Sequence, residues 1–421
     1  MNQHPPTLLI CTVGGSFEPL VQSLSHWRPA RVVFVPSKQT EVQIDTILRE
    51  YSERAGQPLS PGSYERFPIS DPENLEDCLR VMQQLDEEVR RWLERGDDYR
   101  VVADFTAGTK CMTAALALQA RRWPCLFSYV GGGQRTKEGV GVVISGTERI
   151  VHQINPWDAL GHQAVEEFIV LFDQRAFLAA ANVAKMAKIR VSRPARKREL
   201  AALEQLASAF DYWDRFDHQR SRVEFTAVEK AANDLTEVFG RDRAAQLLDD
   251  VRRSSDHLAA LCGAPPPSRH HVLDLLANAK RRREEGRLDD AVARLYRAIE
   301  AIAQVTLKER HEIESTERIP LESIPEPLRS EWECRADDGS VTVGLQDAYR
   351  LLLALGDALG RKFEDAKLNG RDSPLIVRNR SPLAHGFEKV SSTVVDQLWK
   401  STLDLAEIDE AALPRFPRLG S

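Results

Sequence analysis

From residue 8 the chain alternates short runs of apolar, often β-branched residues with longer stretches whose apolar positions recur every three or four residues. A strand inside a parallel sheet is covered on both faces and reads as a nearly continuous apolar run, whereas a helix lying on that sheet shows an apolar stripe at helical spacing. On these criteria strands are expected over residues 8–13, 32–36, 100–105, 125–130, 140–144 and 149–154. Helices are expected over 74–93, where Leu75, Leu79, Met82, Leu85, Val89 and Leu93 share a face, and over 111–121. The alternation predicts a parallel sheet flanked by helices. A glycine-rich run at 131–139 joins the last strands and reads as a flexible hairpin loop, not a dinucleotide fingerprint, because a strand follows it rather than a helix.

Past Pro156 the strand-like runs stop, and long Ala-, Leu-, Glu- and Arg-rich stretches predict helices throughout. Ala264-Pro265-Pro266-Pro267-Ser268 is the clearest interruption, since consecutive prolines cannot continue a helix. The helix expected over 289–310 carries Val292, Leu295, Ile299 and Ile302 on one face, and with 272–283 it forms a helical hairpin. No 34-residue period follows that hairpin, so a repeat array is not expected. The organisation predicted is a sheet domain over 1–158, a helical linker domain over 159–265 and a helical terminal domain over 266–421.

Charge narrows the function classes. A net charge of −6 over 421 residues argues against bulk attraction to nucleic acid, so any RNA or nucleotide site must be local. The basic runs Arg196-Lys197-Arg198 and Lys280-Arg281-Arg282-Arg283 have acidic neighbours and read as solvated helix faces. The six cysteines lack a C-x-x-C pair and are expected as reduced core residues. Neither the adjacent His270 and His271 nor His311-Glu312 has metal-ligand spacing, so no metal is expected. No apolar run is long enough to cross a membrane and the first residues lack a leader pattern, which predicts a cytoplasmic protein with no membrane partner.

Three segments carry chemistry. Arg378-Asn379-Arg380-Ser381-Pro382-Leu383-Ala384-His385-Gly386 sets a fixed cation, a carboxamide and an imidazole close together. An imidazole titrating near neutrality can move a proton at a ribose 2′-hydroxyl or a leaving 5′-oxygen, while a guanidinium holds a phosphate as its charge grows. The other two segments are glycine-bearing loops that follow strands, Thr12-Val13-Gly14-Gly15-Ser16 and Asp104-Phe105-Thr106-Ala107-Gly108-Thr109-Lys110. In open parallel sheets ligands collect where strand ends lead into helix N-termini, and glycines there let the backbone approach a ligand. Neither loop is a Walker A sequence, so nucleoside triphosphate hydrolysis is not expected.

The C-terminal segment resembles the HEPN nucleases, whose signature is an Arg, a polar residue and a His a few positions on. Arg378 and His385 enclose six residues with Asn379 in the polar place, and Arg380 to His385 also fits with four, which leaves two candidates for the catalytic Arg. The two loops resemble the CARF domain, a Rossmann-like sensor, with Ala107 where many members carry Gly. The order of sheet, helices and C-terminal motif resembles the CARF-HEPN ancillary ribonucleases of type III CRISPR systems. The resemblance implies a homodimer that binds a cyclic oligoadenylate activator, cyclic tetra-adenylate being favoured over cyclic hexa-adenylate, and needs no other cofactor. Thr12, Gly14, Gly15, Ser16, Thr106, Gly108, Thr109 and Lys110 would line that pocket, with Ser37 and Lys38 as further candidates. Arg378, Asn379 and His385 would cut single-stranded RNA by attack of the 2′-hydroxyl, leaving a 2′,3′-cyclic phosphate, and Ser16, Thr106 and Lys110 could cleave the activator ring itself. The rivals are a non-catalytic nucleotide-sensing regulator acting through a protein partner and a HEPN toxin unit.

Overall fold

The computed structural model describes residues 5–94, 99–123, 125–132, 147–370, 373–381 and 386–420. These form two compact units that divide between Glu204 and Gln205, inside one long helix. The strand expected at 140–144, most of the glycine-rich loop before it, and His385 lie outside the described residues.

The first unit is built on a six-stranded sheet. In chain order its elements are β1 (Thr7–Val13), α1 (Glu18–Trp27), β2 (Arg31–Pro36), α2 (Gln43–Ala55), β3 (Tyr64–Arg66), α3 (Leu75–Glu94), β4 (Arg100–Asp104), α4 (Lys110–Ala120), β5 (Cys125–Gly132) and β6 (Glu148–Ile154). The strand order is β3-β2-β1-β4-β5-β6. Strands β1 to β5 run parallel, and β6 returns antiparallel along the outer edge of β5. The short edge strand β3 was not expected from the sequence, because its Tyr-Glu-Arg carries no apolar run.

Alternation along β1 explains how both faces are covered. Leu9, Cys11 and Val13 pack with α1 and α2, while Leu8 and Ile10 pack with α3 and α4. Because α1 and α4 leave neighbouring strands towards opposite faces, the ends of β1 and β4 stand open between them. That is the switch point of a doubly wound sheet. Helices α5 (Pro156–Asp173) and α6 (Phe177–Arg190) belong to the same unit, and α7 (Pro194–Asp214) leaves it.

The second unit continues with α8 (His218–Lys230), α9 (Ala232–Phe239), α10 (Arg241–Gly263), α11 (Arg269–Glu284) and α12 (Leu288–His311). After them come α13 (Leu328–Trp332), α14 (Leu345–Ala354), α15 (Ala358–Asp365), α16 (Ile376–Arg380) and α17 (Ser392–Ala406). The helix break foreseen at the prolines falls between α10 and α11. Helix α12 is the hub, burying Val292, Leu295, Ile299, Ile302 and Leu307 with residues of α11, α14 and α17. The unit is not purely helical: β7 (Ile319–Pro320) and β8 (Ser340–Val341) pair antiparallel, a ladder too short to leave a periodic signal.

Two expectations are corrected here. Arg281 and Arg282 are not on a solvated face: they are 4% and 6% exposed and converge on Asp214 at the end of α7, with Arg281 Nε 2.8 Å from Asp214 Oδ1. Their counter-charge comes from far along the chain, so the local run could not reveal it. The cysteines are not all core residues either. Cys11, Cys78 and Cys125 are buried, and burial pushes the Cys125 thiol up to about 12. Cys111 and Cys262 are half-buried, and Cys334 is exposed in a short 3-10 helix.

Candidate functional site

A cavity of about 560 Å³ opens at the switch point of the sheet. Its walls are the loops after β1, β2 and β4, with Pro72 and Glu73 ahead of α3 and Tyr129 and Val130 of β5. Of the residues singled out from the sequence, Gly14, Gly15, Ser16, Ser37, Thr106, Gly108 and Thr109 line it.

Thr12 is placed differently. It is fully buried below the cavity, and its hydroxyl donates to the Ala107 carbonyl, tying the end of β1 to the loop after β4. Lys38 and Lys110 are exposed and not part of the wall. The wall also contains Glu18, Gln39, Thr40, Glu73 and Tyr129, none of which the sequence reading named. Thr40 had a local signal: it closes a turn with Ser37, donating from Oγ1 to the Val13 carbonyl at 2.9 Å and accepting from the Ser37 N–H at 2.9 Å.

Glycine is required where the two loops meet. A Cβ on Gly14 would lie 2.7 Å from the Gly108 nitrogen, and Gly108 itself has φ +95°, in the left-handed region. Asp104 fixes this junction from below. It is fully buried and accepts from Ser23 Oγ at 2.6 Å, Ser128 Oγ at 2.9 Å and the Thr106 N–H at 3.0 Å. Ser128 in turn accepts from Trp27 Nε1 at 3.0 Å. A buried carboxyl group needs such partners, and Ser23 and Ser128 draw α1 and β5 to the loop. Burial, reinforced by the Asp104 charge, raises the neighbouring Cys11 thiol well above its ordinary range, which makes it an inert core residue.

Thr106 and Thr109 are likewise committed to structure. Thr106 Oγ1 accepts from the Val130 N–H at 2.7 Å. Thr109 caps α4, accepting from the Met112 N–H at 3.3 Å and donating to the Pro72 carbonyl. What the cavity presents is the glycine-bearing backbone of the loops after β1 and β4, the Ser16 side chain and the positive end of α4, a surface suited to phosphate or ribose. Among the described residues its wall holds no Lys or Arg and two carboxylates, so it selects for shape and hydrogen bonding more than for net charge.

In the second unit Arg378 and Asn379 sit on the short α16, and the two candidate arginines are in different states. Arg380 is exposed, with its guanidinium 3.9 Å from the Glu388 carboxylate. Arg378 is half-buried and lies over the Tyr296 ring of α12, 5.0 Å from its centroid, and its Nη1 donates to Asn379 Oδ1 at 3.2 Å. Among the described residues no carboxylate pairs with Arg378.

The chain closes back on this helix. The Gly386 N–H donates to the Ser381 carbonyl at 3.3 Å and the Glu388 N–H to the Arg380 carbonyl at 2.9 Å. A Cβ on Gly386 would stand 2.1 Å from the Arg380 carbonyl oxygen, so glycine is required at this closure too. Next to it Phe387 is 96% exposed, a ring the sequence reading passed over. No group of three or more His, Cys, Asp or Glu that could hold a metal occurs among the described residues.

Residues 264–409, about a third of the chain, match the family described as the Csm6 HEPN domain. A search of curated proteins found no significant match. Among solved structures, the chain is similar to Enterococcus italicus Csm6 bound to cyclic hexa-2′-fluoro-hexa-dAMP, at 13% identity and a TM-score of 0.58, over 97% of this chain and 96% of that one. At that identity the likeness is one of fold. Two partial likenesses have TM-scores of 0.25 and carry no weight. One is to Can2 from Sulfobacillus thermosulfidooxidans in complex with cyclic tetra-adenylate, at 12% identity over 51% of this chain and 68% of that one. The other is to a type III CRISPR defence DNA nuclease activated by cyclic oligoadenylate, at 18% identity over 62% of this chain and 35% of that one.

Proposed function

We propose that this chain, whose residues 264–409 match the Csm6 HEPN domain family and whose fold is similar to that of a Csm6 along almost its whole length, is a CARF-HEPN protein of the type III CRISPR kind and an endoribonuclease switched on by a cyclic oligoadenylate. The observation that carries the reading is Arg378, a half-buried cation inside the matched domain with no carboxylate partner among the described residues. A charge kept partly out of water without a counter-ion is costly unless something anionic completes it, and an RNA phosphate would do so.

In the proposed reaction His385 takes the proton from the ribose 2′-hydroxyl or delivers one to the leaving 5′-oxygen. The 2′-oxygen forms a bond to phosphorus as the bond to the 5′-oxygen breaks, giving a 2′,3′-cyclic phosphate and a 5′-hydroxyl. Arg378 stabilises the extra charge on the pentacoordinate phosphorus. Asn379, which accepts a hydrogen bond from Arg378, orients the guanidinium. An imidazole and a guanidinium suffice for this chemistry, so cleavage is proposed to be metal-independent.

The activator is proposed to sit in the switch-point cavity, with two copies of the chain offering matching loops to a ring of repeated units. Residues 159–265 would connect sensor to nuclease. The ring holds four adenylates, favoured by the family resemblance alone, or six, the size of the analogue bound to the E. italicus protein. The test is cleavage of a fluorescent single-stranded RNA in EDTA with no activator, cyclic tetra-adenylate or cyclic hexa-adenylate. Cleavage with one ring only supports the reading and fixes the ring size. Ring binding without cleavage in any lane would instead favour a regulator acting through a protein partner.

A further inference from the structure

We propose that Tyr296 is a positioning residue of the RNA-cleaving site, its ring face holding the Arg378 guanidinium in place without neutralising it. The inference rests on the assignment of Arg378 as the phosphate-binding cation.

The contrast with other arginines in the second unit carries the argument. Arg281 lies over Phe416 and pairs with Asp214, Arg283 lies over Trp399 and pairs with Asp396, and Arg294 lies over Phe216 and pairs with Asp290. Arg335 lies over Trp332 and pairs with Asp347. Each has its charge answered by a carboxylate as well as a ring. Arg378 has the ring but, among the described residues, no carboxylate.

The difference matters for catalysis. A carboxylate would occupy the same in-plane N–H groups that a phosphate must reach and would have to be displaced. A ring attracts the cation through its quadrupole from one face and leaves that plane open. Asn379 Oδ1 takes only Nη1, at 3.2 Å, and is neutral.

Tyr296 is well placed to act as a fixed platform. It lies on α12, between the buried Leu295 and a helix face that also buries Val292 and Ile299, and packs against the core of the second unit. Its hydroxyl makes no hydrogen bond to the described residues, so the ring and not the phenol is the working part. This is geometric pre-organisation, supplied by the long hub helix of the unit to a side chain on one of the shortest.

The experiment is single-turnover cleavage of a single-stranded RNA by the full-length protein with saturating activator ring. Tyr296→Phe should cut within twofold of wild type. Tyr296→Leu should cut about three- to thirty-fold more slowly at saturating RNA, the range expected for loss of one cation–π contact. Its loss should vanish in an Arg378→Ala background, because the two residues act as one unit. Ring binding and the thermal midpoint serve as readouts of folding, and Tyr296→Met replaces the Leu variant if that one unfolds.

Equal cleavage by the Leu or Met variant and wild type overturns the proposal. So does a loss that multiplies with that of Arg378→Ala, or a Phe variant as impaired as the Leu one. If Arg378→Ala alone cuts like wild type, the assignment of Arg378 fails and this inference falls with it. That outcome is read separately from the Tyr296 variants.

Discussion

Substitution of Gly14 by Ala, set beside the same change at Gly15, tests the switch-point cavity directly. The two glycines are neighbours on one loop and both line the cavity, yet they differ in what a methyl group would meet. On Gly14 it would stand 2.7 Å from the Gly108 nitrogen and 3.4 Å from Ala107 Cβ, whereas on Gly15 nothing lies within 4 Å. The atom in the way is backbone, so it cannot rotate aside. The loops after β1 and β4 must part by several tenths of an ångström, which also pulls on the Thr12 hydrogen bond to the Ala107 carbonyl. Overpacking of this kind costs about 1–3 kcal/mol. If the strain falls on the ring-binding form, affinity drops by about five- to 150-fold. The assay is calorimetric titration of wild type, Gly14→Ala and Gly15→Ala with cyclic tetra-adenylate and cyclic hexa-adenylate. Gly14→Ala should bind more weakly, and Gly15→Ala should stay within about threefold of wild type. Equal affinities for all three proteins would refute the claim that the junction of these loops shapes the ligand site.

Arg378→Ala should reduce activated RNA cleavage by at least about a hundredfold, the scale of losing one transition-state donor, while Arg380→Ala stays within about threefold because its charge already faces Glu388. The reverse order in a cleavage assay would transfer the role to Arg380. Asp214→Ala removes the carboxylate on which the buried Arg281 and Arg282 converge and should destabilise the second unit by about 3–5 kcal/mol. Asp249→Ala, at an exposed pair with Arg252, should cost under about 1 kcal/mol, and equal denaturant midpoints for the two variants would contradict the buried-pair argument. Burial holds the imidazoles of His257 and His271 below their ordinary 6.5, with His218 and His270 pushing the same way and Asp274 opposing. The unfolded chain therefore takes up protons first, so stability is kept above about pH 6.5 and declines as pH falls through the lowered folded values. Denaturant midpoints at pH 7.5 and 5.5 should show that decline, and His257→Phe should reduce it; a protein more stable at pH 5.5 would reverse the sign.

Much of the fold was legible because its signals are local. Strands β1, β2, β4 and β5 are apolar runs, α3 and α12 are apolar stripes, and the prolines at 265–267 mark the break between α10 and α11. Strand β3 escaped because three polar-edged residues make no pattern. The cavity was half legible: glycines and hydroxyls after strands announced Gly14, Ser16, Thr106 and Gly108, but Glu18, Glu73 and Tyr129 reach the same wall from other elements.

What the sequence determined by itself was the order of apolar and polar positions, and with it the α/β start, the helical remainder and the segments proposed to carry phosphate chemistry. Only the tertiary structure decided the electrostatic state of each charge. It paired Arg281 and Arg282 with Asp214, left Arg380 beside Glu388, and set Arg378 on the Tyr296 ring with no carboxylate among the described residues. It also moved Thr12 from the cavity wall to the joint beneath it. The physical reason is that periodicity is a property of neighbouring residues and survives in the linear chain, whereas the energy of a charge or a buried hydroxyl depends on partners that only folding brings within a few ångströms.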